Sequence, residues 1–173
     1  MNRRALEIAA LFIVLVLLQV LIFNHVVLFH VAVPIIFIYF IIRVPTGLSA
    51  NLLVSLSFLL GLVIDIFSDT LGVNALSCTL LAALKKPVFY AYVQRDDLVK
   101  DITPSISRLG VFTYSKYLLT MTAIYCALTF TIEYFSVASV KEIAIAAASS
   151  TLLSFLLMLG MDSLMISQRE KRL

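Results

Sequence analysis

Charge is scarce in this chain. Only 13% of its 173 residues are charged, against 62% that are hydrophobic, and the mean hydropathy is +1.07. A water-soluble domain carries about 25% charged and about 45–50% apolar residues. The scarcity excludes such a domain, and the chain reads as a polytopic membrane protein with no stretch polar enough to fold apart from it. Cysteine is nearly absent. Cys78 and Cys126 both sit in apolar runs, where each reads as a small buried hydrophobe rather than half of a disulfide or redox pair. The two histidines, His25 and His30, belong to no His-Glu-x-x-His pattern. They read as interfacial residues, and no metal centre is expected.

The common catalytic motifs are missing as well. No glycine-rich stretch precedes a Lys-Ser or Lys-Thr pair, and there is no Gly-x-Ser-x-Gly elbow. Ser55 and Ser57 have no histidine near them in any span, so neither has a base to activate it. No catalytic residue and no cofactor is expected. The net charge of +3 is spread over several loops rather than gathered on one face, which argues against nucleic acid as a partner.

What is present is a series of long apolar runs. A spanning helix needs about 20 residues, and candidates fall at about 5–23, 26–42, 49–67, 72–90, 111–132 and 143–166. The fold class expected is therefore all-α, a bundle of six transmembrane helices in a single integral membrane domain, residues 1–173. The N-terminal Arg3-Arg4 followed by an apolar run is like a signal sequence. However, Val20 to His25 offers no small-x-small cleavage site, and the run reads as an uncleaved first span in which Arg3 and Glu7 can pair. The second run is the weakest, because it holds His30 and Pro34 and ends at Arg43 and Pro45. It either spans or is re-entrant, and the charges favour spanning. With six spans and the N-terminus inside, Arg3, Arg4, Arg43, Lys85, Lys86, Arg95, Lys100, Arg108, Lys116, Arg169, Lys171 and Arg172 are cytoplasmic. That is 12 of the 13 basic residues, leaving only Lys141 outside. Without the second span, the basic loop near 85–116 would face outward. Both termini are then in the cytoplasm, as is the mixed-charge loop of about 91–110. That loop is either a simple connection or a docking site for a cytosolic partner.

Two stretches hold polar or small residues where lipid would disfavour them or close packing would want them. The first is Gly61-Leu-Val-Ile-Asp65-Ile-Phe-Ser68-Asp69-Thr-Leu-Gly72-Val-Asn74. Asp65 comes before its apolar run is over, and an acid in lipid is costly. Either it lies at the outer interface and helps end the helix, or it makes a buried polar contact that fixes a helix hairpin or a partner. On the second reading, Gly61 and Asp65 face inward, and Asp65 caps or bonds the turn through Ser68 and Gly72. If the helix continues far enough, Gly61, Asp65 and Asp69 share one face. The second stretch is Ala146, Ser150 and Ser154. Their four-residue spacing makes a small-residue face for close packing, inside the bundle or against a partner helix. Asp162, near the inner end of the same run, is expected to pair with Arg169 or with a basic residue from another loop.

The pattern Gly61-x-x-x-Asp65-x-x-Ser68, followed by Leu71-Gly72-x-x-Ala75-Leu76, resembles the hallmark of the rod shape-determining MreD family of bacterial membrane proteins. Chain length, the six runs, Pro34, Pro45 and the short basic tail are similar in outline. Asp69 departs from the family, which commonly has glycine after the serine. The resemblance implies a non-catalytic scaffold of the cell-elongation and peptidoglycan-synthesis complex in the inner membrane. Its implied partner is MreC, with the actin-like MreB, the RodA glycosyltransferase and a penicillin-binding transpeptidase in the same complex, all in contact with membrane lipid. It also implies a bundle similar to the substrate-binding subunits of energy-coupling-factor transporters. A vitamin-binding transporter subunit, with Asp65 and Asn74 lining a pocket, is the alternative.

Overall fold

The computed structural model describes residues 3–23, 33–93, 101–134 and 139–170. The histidines, the basic residues Arg95 and Lys100, the C-terminal Lys171 and Arg172, and the side chains of Arg3 and Arg169 lie outside the described residues, and so do the pairings expected of them. All regular structure among the described residues is helical: α1 (Arg3–Leu21), α2 (Tyr39–Arg43), α3 (Ala50–Ser68), α4 (Val73–Tyr92), α5 (Ile106–Leu109), α6 (Val111–Tyr134) and α7 (Val140–Glu170). Helix α3 and the Val140–Leu164 part of α7 are long and apolar enough to cross a membrane. In α1 the apolar portion, Leu6–Leu21, is shorter.

The packing follows from the connections. The turn 69–72 folds α4 back along α3, and α6 packs on both α4 and α7. Helix α1 lies against α3 and α2. The outer faces carry Leu17, Phe58, Leu59, Phe67, Leu152 and Leu156, each about half exposed or more. The interior holds Gln19, Ser57, Asp65, Lys85, Thr122, Ser150, Ser154 and Asp162 among its apolar side chains. A water-soluble monomer seldom exposes large apolar patches. An apolar exterior around an interior that holds the polar groups is the arrangement lipid favours.

The second apolar run departs from the expected helix. Residues 33–38 form no helix, and α2 supplies little more than one turn after them. Ile35 through Ile42 are nevertheless almost wholly buried. Pro34 disfavours a helix at residue 33 and has no amide to give. The segment instead follows α7. Val33 N donates to Ser150 Oγ at 3.0 Å, Ile35 N to Ser154 Oγ at 2.8 Å, and Tyr39 Oη to Asp162 Oδ1 at 2.7 Å. Four helical residues, 150 to 154, rise about 6 Å, and two residues of extended chain, 33 to 35, cover about 7 Å, so the start of the segment runs alongside α7. The chain then turns, with Tyr39 N donating to Ile36 O at 2.9 Å, and enters α2.

Candidate functional site

The Asp65 knot forms where α3 ends and α4 begins. Helix α3 stops at Ser68, because Asp69 takes a left-handed conformation (φ 54°, ψ 39°) with its amide on Asp65 O. Aspartate tolerates that region better than most residues. Asp69 therefore does not continue the helical face of Gly61 and Asp65. Gly72 is also left-handed (φ 80°) and immediately precedes α4. Its side-chain-free turn leaves the first amides of α4 without a local cap.

Asp65 supplies that cap from the preceding helix. Its Oδ1 accepts from Asn74 N and Asn74 Nδ2, both at 3.0 Å, and from Thr70 Oγ1. Its Oδ2 accepts from Ala75 N at 2.8 Å. A carboxylate at a helix N-terminus satisfies orphan amides and meets the positive end of the helix dipole. The bonds thus run to Thr70, Asn74 and Ala75. Gly72 bonds instead through its own amide to Thr70 O at 3.0 Å, which corrects the expectation that Asp65 reaches it. Tyr125 of α6 closes the network by donating to Asn74 Oδ1 at 2.6 Å.

Gly61 makes this geometry possible. A Cβ placed on it would fall 2.5 Å from Ala75 Cα and 2.5 Å from Asn74 O. The backbones of α3 and α4 touch at that point, one turn before Asp65 on the same face. Close approach lets the carboxylate reach amides on the other helix.

A second polar cluster lies at the opposite end of the hairpin. Asp162 is fully buried and pairs with Arg43, a basic residue from another part of the chain. It also accepts from Tyr39 Oη, and from the amide of Ile106 at 3.0 Å. The loop after α2 joins in: Thr46 N donates to Ile102 O at 3.0 Å, and Lys85 Nζ donates to Val44 O.

The small-residue face of α7 has an unexpected occupant. Ser150 and Ser154 hold the extended segment rather than a helix, while Ala146 packs at the edge of the core. From the other side Gln19 of α1 donates to Pro34 O at 3.0 Å and accepts from Ile36 N at 2.9 Å. Phe37 then meets Tyr125 edge-on, with ring centroids 5.6 Å apart. One continuous set of contacts therefore joins α7, the segment, α6, α4 and α3. Sequence reasoning did not single out Gln19, Thr70 or Tyr125. A glutamine inside an apolar run was the visible signal for the first.

The arrangement ties α3, α4 and α6 together, and each Asp65 oxygen is occupied by donors of its own chain. Compared with protein-family models, curated proteins and solved structures, the chain gives no match.

Proposed function

We propose that the chain is a non-catalytic membrane scaffold of the MreD type, acting in a bacterial cell-elongation complex. The observation that carries this reading is the use made of the motif residues. Gly61, Asp65 and Asn74 join two helices and a third, as a scaffold requires, and none is left pointing at an opening. The transporter alternative drew on Asp65 and Asn74 as pocket-lining groups, and both are engaged with Thr70, Ala75 and Tyr125. In the proposed topology the chain crosses the inner membrane six times with both termini in the cytoplasm. The second crossing uses the extended segment and α2. Buried non-helical backbone at membrane depth is tolerated when protein groups satisfy it, as Gln19, Ser150 and Ser154 do. MreC is the proposed direct partner, with MreB, RodA and its transpeptidase in the same assembly. Depletion in the host should round the cells, and gentle solubilisation of a tagged chain should bring MreC with it. Unaltered rod growth after clean deletion would sink the proposal.

A further inference from the structure

Phe112, Lys116 and Thr120 follow one another at four-residue spacing in α6, so they share one face. The contacts tie this strip together. Lys116 Nζ sits 4.2 Å from the centre of the Phe112 ring. Thr120 Oγ1 donates to Lys116 O at 2.9 Å and lies 2.8 Å from Tyr92 Oη, at the end of α4. Because the threonine proton goes to the carbonyl, the tyrosine is the donor to Thr120. Two helices therefore meet beside an exposed ammonium group. A ring face attracts that cation but accepts no ordinary hydrogen bond from it. Its three protons find no carboxylate among the described residues.

The surroundings of the cation are apolar. Phe112 is 73% exposed. Leu119, Ala123 and Ala127, further along α6, are exposed too. From Lys116 to Ala127 the helix rises about 16 Å, half of a hydrocarbon core about 30 Å thick. A positive group at one end of such a surface complements a molecule with an anionic head and an apolar tail. In the proposed topology this end of α4 and α6 lies at the cytoplasmic leaflet, where anionic lipids attract basic side chains. We propose that Tyr92, Phe112 and Lys116 seat one anionic phospholipid of that leaflet. Its phosphate accepts from Lys116 Nζ, and a chain lies along Leu119, Ala123 and Ala127. The proposal rests on the membrane reading above.

The test uses the purified full chain in detergent, titrated with phosphatidylglycerol or phosphatidylcholine and read by native mass spectrometry. Phosphatidylglycerol should be retained one to one, and more tightly than phosphatidylcholine. Lys116→Gln should weaken phosphatidylglycerol about fivefold, what one basic residue near an anionic surface contributes, and so remove the preference. Phe112→Leu should weaken it about two- to fivefold, because the ring no longer holds the ammonium. Lys141→Gln, an exposed basic residue beyond the other end of α6, should leave it unchanged. Equal retention of the two lipids by the wild type, wild-type affinity in Lys116→Gln or Phe112→Leu, or an equal loss in Lys141→Gln overturns the site. Alkali-resistant insertion into liposomes is measured separately. A chain that fails to insert defeats the membrane reading, whereas one that inserts and retains no phosphatidylglycerol defeats only the lipid site.

Discussion

Gly61 and Ala75 are in backbone contact: a methyl group on the glycine would sit 2.5 Å from Ala75 Cα. The blocking atoms are main chain, so no side-chain rotation can relieve the clash. Gly61→Ala should therefore destabilise the hairpin by about 1–3 kcal/mol, the usual range for overpacking. Gly160, on α7, has nothing within 4 Å of its virtual Cβ. Gly160→Ala should be neutral or stabilising, since alanine is the better helix former. Denaturant unfolding of both variants in micelles checks the contrast, and equal effects would count against the close crossing.

At Asp65, the prediction separates charge from hydrogen bonding. Asp65→Asn can keep the oxygen that serves Thr70 and Asn74. It would then turn its amide toward Ala75 N, replacing one good bond with two facing donors. A cost of about 1–3 kcal/mol is expected, that of a buried donor left unpaired. Asp65→Ala removes every bond and the helix cap, and should cost more. Tyr125→Phe should cost less than either, about 1 kcal/mol, because it takes the bond to Asn74 and leaves the Asp65 cap in place. A different rank order of unfolding midpoints would refute this assignment of bonds.

The Arg43–Asp162 pair predicts strong coupling. Removing one partner of a buried ion pair typically costs about 3–5 kcal/mol, because the other charge is left stranded. Arg43→Met and Asp162→Leu should each be severe. The double variant should be less destabilised than the sum of the two, a deviation that a double-mutant cycle measures. Simple additivity would show that the pair is not formed.

Ser154→Ala should cost about 1–3 kcal/mol by leaving the buried amide of Ile35 unpaired. Ser149→Ala should have little effect, since that half-buried hydroxyl bonds within its own helix. Hydrogen exchange at Ile35 is the direct readout, and it should accelerate in the first variant only.

Topology is tested by labelling. Cys78 and Cys126 are buried, so introduced cysteines at exposed positions report alone. In intact cells a membrane-impermeant maleimide should react with Asp69→Cys and spare Ser107→Cys until the membrane is opened. The reverse pattern would invert the proposed orientation.

The Asp65 knot was largely legible in the sequence, because an acid inside an apolar run has to be satisfied and a glycine four residues earlier marks a close approach. Its partners were not. Helix capping is ordinarily read within a few residues, and here the cap comes from the preceding helix, while Tyr125 lies 51 residues from Asn74. The second run misled for a physical reason. Apolar periodicity does not distinguish a buried helix from a buried extended segment, and only Pro34 hinted at the latter. The serines of α7 were visible as a small face, but spacing alone does not say whether a helix or a strand-like segment will lie in it. Asp162 plainly needed a base, and choosing Arg43 required the three-dimensional path of the segment.

That path also bears on how the protein is made. The amides of Val33 and Ile35 find their acceptors on residues 117 and 119 positions further along the chain. When the segment leaves the ribosome, α7 does not yet exist, and Gln19 can answer only part of its backbone. In the proposed membrane topology the segment therefore cannot settle among lipids on its own, and it waits in the insertion machinery or at the wet surface of the bilayer until the last helix arrives, so that final closure of the bundle falls after synthesis is nearly complete.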